Sequence, residues 1–283
     1  MKTIGEDHRG GRRRRLIAAG ATVALLTGGV ATAWVFSGTG GTMRPVATPT
    51  TTTTTTAPRT TPTLPDSGPF TVATTKVDQL RIYGQPSTAG SAIATLPAKT
   101  SYGSTTTLLT DPEVPNPVSG WVPVTVPLHK PNDTTGWVQA SDVTLTQTNY
   151  AIDISLSHHT LVLLNAGQSV LTTQIIIGTP KSPTPTGRFF LIDPVNCNTI
   201  SVPGYPLGKC SSVYGAFAIG TSGLSEVLDS FDGTIPQIAL HGTDLPASQL
   251  GTDQSNGCVR MPNGVIIQIA RLTPLGTPVT ITT

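Results

Sequence analysis

Apolar and polar positions alternate strictly at the start of the carboxyl-terminal half: Ile152, Ile154 and Leu156 interleave with Asp153, Ser155 and Ser157. That period is the signature of a strand with one buried face. Runs at 151–156 and 160–164 predict a strand pair, and further strand-like runs follow at 188–192, 235–240 and 278–282. One helix is expected over 264–272, with Asn263 as its cap. Residues 70–146 contain short β segments broken by turn residues at 80–83, 93–100, 120–124 and 136–138, with no amphipathic helix. The chain is therefore expected to be mainly β.

The amino-terminal pattern is different. After a basic tract, Arg9 and Arg12 to Arg15, residues 16–36 carry no charge, enough to cross a hydrocarbon core of about 30 Å. The expectation is a cytoplasmic tail at 1–15 and a transmembrane anchor or signal segment at 16–37, with the remainder outside the cell membrane. The apolar run exceeds the usual signal core of roughly 7 to 15 residues, which favours an anchor. Ala31-Thr32-Ala33 keeps open a cleaved signal and secretion to the wall, and the paired arginines keep open twin-arginine export. A Thr/Pro-rich linker follows at 38–69; its composition cannot bury a core, so disorder is expected.

Composition narrows the partners. Of 17 basic and 15 acidic residues, 11 and 13 remain once the charges before the apolar run are set aside. The exported part is slightly acidic and has neither a phosphate-binding glycine loop nor a basic aromatic stripe, so nucleic acid is excluded as an expected partner. His158 and His159 lie on a turn without cysteine or carboxylate ligands at useful spacing, and no metal or cofactor is expected. Three cysteines suit an oxidising compartment if Cys197 and Cys210 pair and Cys258 stays free.

Cys258 carries the candidate chemistry. It follows a polar, glycine-rich loop at 249–257, while His241 stands at the end of a short apolar strand. A cysteine attacks carbonyls as its thiolate, which a neighbouring imidazole or backbone N–H groups favour. Gly257 lets the backbone approach a substrate closely, so that consecutive N–H groups can face an oxyanion.

Residues 149–283 resemble the L,D-transpeptidase catalytic domain of the YkuD type. The motifs are His241-Gly242-Thr243, then Ser255-Asn256-Gly257-Cys258-Val259-Arg260, preceded by Gly178-Thr179-Pro180 and Pro183-Thr184-Pro185-Thr186-Gly187. The resemblance implies a β-sandwich with a short helix. It makes Cys258 the nucleophile and His241 the general base and later acid, with Ser255, Asn256 and Gly257 in the nucleophile and oxyanion loop. Arg260, Gly242 and Tyr214 become substrate-binding candidates. By its position, the loop between Cys197 and Cys210 is expected to cap the site, with Tyr214 at its edge. Many members have a second histidine where this chain has Asn256, which cannot take a proton.

The implied reaction attacks the third residue of a peptidoglycan tetrapeptide stem, normally diaminopimelate, expels D-alanine and cross-links the acyl group to a neighbouring amine. Two alternatives are an L,D-carboxypeptidase and an inactive wall-binding scaffold. Residues 70–146 resemble bacterial Src-homology-3-like barrels through the Gly120-Trp121-Val122 and Gly136-Trp137-Val138 repeats. Such a domain implies either wall binding or tryptophans that fill a small core. The expected partners are stem peptides, the wall and, through the amino-terminal segment, the membrane; a monomer is expected.

Overall fold

The computed structural model describes residues 68–111, 118–199 and 210–283, all within one compact unit that runs from Ala57 to Thr283. The expected tail, anchor or signal segment and nearly all of the linker lie outside the described residues. Among the described residues no helix is long and apolar enough to cross a membrane.

The amino-terminal part is built from β1 (Phe70–Thr75), β2 (Gln79–Tyr83), β3 (Ala92–Pro97), β4 (Thr107–Leu109), β5 (Trp121–Thr125), β6 (Thr135–Gln139) and β7 (Val143–Thr148). These form a three-stranded sheet in the order β4-β1-β7 and a four-stranded sheet in the order β3-β2-β6-β5, joined by a bridge between Thr110 and Val124. Leu80, Ile82, Leu108, Val122, Val124 and Val138 are buried between them. The two tryptophans do not fill this core. Trp121 and Trp137 are half-buried, and Trp121 meets Tyr83 edge to face with ring centroids 5.5 Å apart. Alternation explains it: valines at 122, 124 and 138 take the inward positions and turn both indoles to the other face.

The carboxyl-terminal part contains β8 (Tyr150–Ser155), β9 (Thr160–Asn165), β10 (Gln168–Gln174), β11 (Ile177–Gly178), β12 (Gly187–Asn196), α1 (Ser211–Tyr214), β13 (Phe217–Leu224), β14 (Gln237–Thr243), β15 (Asp253–Ser255), β16 (Val259–Pro262), α2 (Asn263–Leu272) and β17 (Pro278–Thr282). Eight strands make one sheet, β10-β9-β8-β17-β12-β13-β14-β16. Instead of two facing sheets, this sheet curls until its ends meet: Ile176, just beyond β10, and Arg260 in β16 exchange two backbone hydrogen bonds of 2.9 Å. Right-handed twist accumulated over eight strands brings the edges together. The fold is mainly β and barrel-like. Ile152, Leu161, Phe189, Leu240, Val259 and Met261 are packed with Ile266 and Ile269 of α2 in its core.

The two parts share buried surface. Ala151, Phe190 and Ile192 belong to the amino-terminal core cluster, and the Asn132 carboxamide bonds both the N–H and the carbonyl of Leu224, at 2.8 and 2.9 Å. Asn263 departs from its expected role as helix cap. It is the first residue of α2, and its side chain is committed elsewhere, accepting from Ala216 N–H at 2.8 Å and donating to Asp244 at 2.6 Å.

Candidate active site

β14 and β16 run parallel, with Leu240 opposite Val259 and His241 opposite Arg260. Leu240 and Val259 point into the core, which puts His241 and Arg260 on the other face. Continuing the register one step back sets Cys258 beside Ala239, and a hydrogen bond from the Ala239 backbone reaches the thiol. The Cys258 Sγ also lies 4.0 Å from the Gln237 carbonyl. The register thus makes the thiol and the imidazole diagonal neighbours across two strands. Diagonal positions are about 7–8 Å apart at the backbone, within reach of two converging side chains.

His241 is 1% exposed, and its Nδ1 lies 2.8 Å from the Gly242 carbonyl. A carbonyl only accepts, so Nδ1 carries the hydrogen and the lone pair is on Nε2. Burial, helped by the nearby Arg260 charge and opposed by the Gly242 and Tyr214 backbone carbonyls, lowers the imidazole pKa to about 4. The Tyr214 ring meets the imidazole edge to face, centroids 5.1 Å apart.

Cys258 keeps some exposed surface, yet its sulfur is enclosed enough for desolvation to raise the thiol pKa; the Ala239 hydrogen bond and the Arg260 charge work against this rise. Near neutral pH the resting pair is therefore an uncharged thiol beside an uncharged imidazole. Arg260 Nε is buried without a hydrogen-bond partner.

The loop before the sulfur is held by hydroxyl groups. Ser255, 1% exposed, donates to the Cys258 carbonyl at 2.6 Å and accepts from Gly257 N–H at 3.0 Å. Ser182 donates to the Asn256 carbonyl at 3.0 Å, and Thr184 to the Gly257 carbonyl at 2.9 Å. Gly257 has φ +111°, a conformation that side chains disfavour, and a Cβ there would lie 3.1 Å from Ile238. The Asn256 side chain is exposed. Gly242 is buried, and a Cβ on it would fall 2.0 Å from the Asn263 Oδ1. It meets the site through the carbonyl that orients His241.

Cys197 and Cys210 form a disulfide, Cα atoms 5.3 Å apart, and Cys258 is free. The Cys210 carbonyl accepts from Val213 N–H and Tyr214 N–H, so the crosslink anchors the short helix that carries Tyr214. Of the expected cap between Cys197 and Cys210, residues 200–209 lie outside the described residues. His159 bonds Asp253 at 2.6 Å and His158 bonds Ser155 at 2.8 Å, and no cluster of three or more metal-binding side chains occurs among the described residues.

The tertiary arrangement thus brings Cys258, His241, Arg260 and Tyr214 together. Sequence reasoning missed Ser182, Thr184 and Asn263 as supports. Thr184 had a signal, its place in the proline-threonine-glycine run, but the run does not show that its hydroxyl reaches the loop before Cys258.

A free thiol and a buried imidazole on one face of a barrel-like sheet define a cysteine–histidine site. Residues 149–281 match the model of the YkuD family, the L,D-transpeptidase catalytic domain. The YkuD proteins of Bacillus subtilis (strain 168) and Bacillus licheniformis are 33% and 31% identical over 132 and 133 residues, 47% of this chain in each case. The chain covers 65% and 66% of those relatives, just under two thirds of their length. L,D-transpeptidase 3 from Mycobacterium tuberculosis, solved with a faropenem-derived adduct, is 17% identical, with 59% of this chain and 93% of that chain covered and a TM-score of 0.39.

Proposed function

We propose that this chain is a peptidoglycan L,D-transpeptidase that cross-links stem peptides through a Cys258 thioester. The observation that carries the reading is the pairing of β14 with β16, which sets Cys258 diagonal to His241, whose tautomer leaves Nε2 as the proton acceptor. In the acylation step the sulfur bonds to the donor carbonyl as its proton passes to His241. The tetrahedral intermediate collapses when the C–N bond to D-alanine breaks and the imidazolium returns that proton to the leaving amine. An amine of a second stem then attacks the thioester, gives a proton to His241 and restores the thiol as the C–S bond breaks.

The Gly242 and Tyr214 carbonyls favour the transient imidazolium, and backbone N–H groups of the 256–258 loop are the oxyanion donors in this reading. Each such donor supplies on the order of 3 kcal/mol. Arg260 promotes ionisation of the thiol and offers a partner to a substrate carboxylate. The Cys197–Cys210 bond supports an extracytoplasmic location, with the charge-free segment at 16–36 as tether or export signal. Residues 70–146 are read as a Src-homology-3-like wall-facing module.

Incubation with a purified tetrapeptide muropeptide tests the reaction. Dimer formation with loss of D-alanine is expected; tripeptide alone indicates hydrolysis, and unchanged substrate defeats the assignment. Intact mass after carbapenem treatment should show one adduct on the native protein and none on Cys258→Ala.

A further inference from the structure

Asn263 stands where three segments of the site meet. β16 leads into it from Cys258, and one further step of the parallel register, after Gly242 with Met261 and Thr243 with Pro262, sets Asp244 beside it. Its carboxamide is fixed by two partners of opposite kind: Nδ2 donates to the Asp244 carboxylate at 2.6 Å, and Oδ1 accepts from Ala216 N–H at 2.8 Å. A carboxylate only accepts and a backbone N–H only donates, so these partners set the amide orientation.

The same oxygen is packed on the backbone of two glycines. A Cβ on Gly215 would fall 2.3 Å from Oδ1 and 2.5 Å from the Gly242 carbonyl carbon, and one on Gly242 would overlap Oδ1 as well. Gly215 also has φ +63°, a conformation that side chains disfavour. Both glycines lie in or beside the peptide units that face the imidazole. The Gly242 carbonyl is 2.8 Å from His241 Nδ1, and the Tyr214 carbonyl, in the peptide bond shared with Gly215, is the second backbone acceptor at the ring. One half-buried carboxamide therefore braces, from behind, both peptide units that hold His241.

We propose that Asn263 is a positioning residue for the reaction: by pinning Gly215 and Gly242 it keeps the hydrogen on Nδ1 of His241 and the Nε2 lone pair free for the thiol proton. The proposal rests on the reading of His241 as the base for Cys258. Only an amide meets both demands of the position. Asp would set a second carboxylate against Asp244, and Ala would take this partner from both Ala216 N–H and Asp244. Without the brace the Gly242 carbonyl shifts from the ring, Nδ1 loses its acceptor and the two neutral tautomers mix.

The experiment reads the tautomer in the full chain by nitrogen NMR of isotope-labelled histidine, with His241 assigned from its missing signals in His241→Gln. The native protein is expected to carry the hydrogen on Nδ1 at neutral pH. Asn263→Asp should show mixed tautomers, and its acylation by a carbapenem should be about tenfold slower. Exchanging the pair, Asn263→Asp with Asp244→Asn, returns one donor and one acceptor to their places and should restore the native tautomer and most of the rate. If Asn263→Asp does not fold, Asp244→Ala, at an exposed position, removes one anchor of the carboxamide and should move both readouts in the same direction. A purely structural asparagine would affect stability in urea and leave the tautomer unchanged. That result, a native ring with its hydrogen on Nε2, or an exchanged pair that folds without restoring the tautomer overturns the proposal. The spectra need no turnover: a tautomer that follows Asn263 in a protein that leaves muropeptide unchanged would sink the enzyme reading and leave the bracing of His241 standing.

Discussion

Thr184 is hydrogen-bonded to Gly257, the residue before Cys258: its Oγ1 donates to the Gly257 carbonyl at 2.9 Å and accepts from Gly178 N–H at 2.9 Å. One buried hydroxyl therefore ties β11 to the loop before Cys258. Thr184→Val keeps the shape but leaves a buried donor and a buried acceptor unpaired. The expected loss is about 1–3 kcal/mol in urea unfolding, with slower acylation by a carbapenem. Unchanged stability and rate would show that the loop does not need this tie.

The buried imidazole makes stability depend on pH. His241 titrates near 4 in the folded chain against an ordinary 6.5 when unfolded. Above 6.5 both states are neutral and its contribution is complete. Between 6.5 and 4 the unfolded chain binds the extra proton, so stability falls with pH by up to about 3 kcal/mol, and below 4 the loss levels off. Urea titrations across this window should show a steeper pH slope for the native sequence than for His241→Gln. Equal slopes would contradict the buried neutral ring.

Arg260 lowers the pKa of both the His241 imidazole and the Cys258 thiol through its charge. In Arg260→Met the thiol pKa should rise, moving the midpoint of the pH dependence of Cys258 alkylation by iodoacetamide upward. An unmoved midpoint would mean that the guanidinium is screened from the sulfur.

The Cys197–Cys210 crosslink closes a short loop, the two residues being 13 apart in sequence. Replacing both by serine should lower stability by about 3 kcal/mol. Because Cys210 also anchors the helix that presents Tyr214 to His241, acylation should slow as well. Peptide mapping of the unreduced native protein should find the 197–210 bridge; a bridge to Cys258 would contradict the assignment.

Local pattern carried much of this molecule. The alternation through Ile152, Ile154 and Leu156 foretold the β8–β9 hairpin, and the run at 278–282 is β17 residue for residue. Strand β14, which carries His241, pairs with β16, which follows Cys258. Trp121 and Trp137 could not be assigned to a face, since neighbouring valines compete for the same core and only the pleat decides between them. Asn263 looked like a helix cap because its alternative partners, Ala216 and Asp244, are distant in sequence.

By itself the sequence determined which residues could form strands, where Cys258 and its candidate base stand, and that the chain beyond the charge-free run at 16–36 is slightly acidic, because these depend on side-chain chemistry and short-range periodicity. The curl that joins Ile176 to Arg260 and the hydroxyls of Ser182 and Thr184 on the Asn256 and Gly257 carbonyls were decided only by the tertiary structure. Their partners are brought together by strand register and sheet twist, which arise from the packing of the whole chain and leave no trace in any short window of residues.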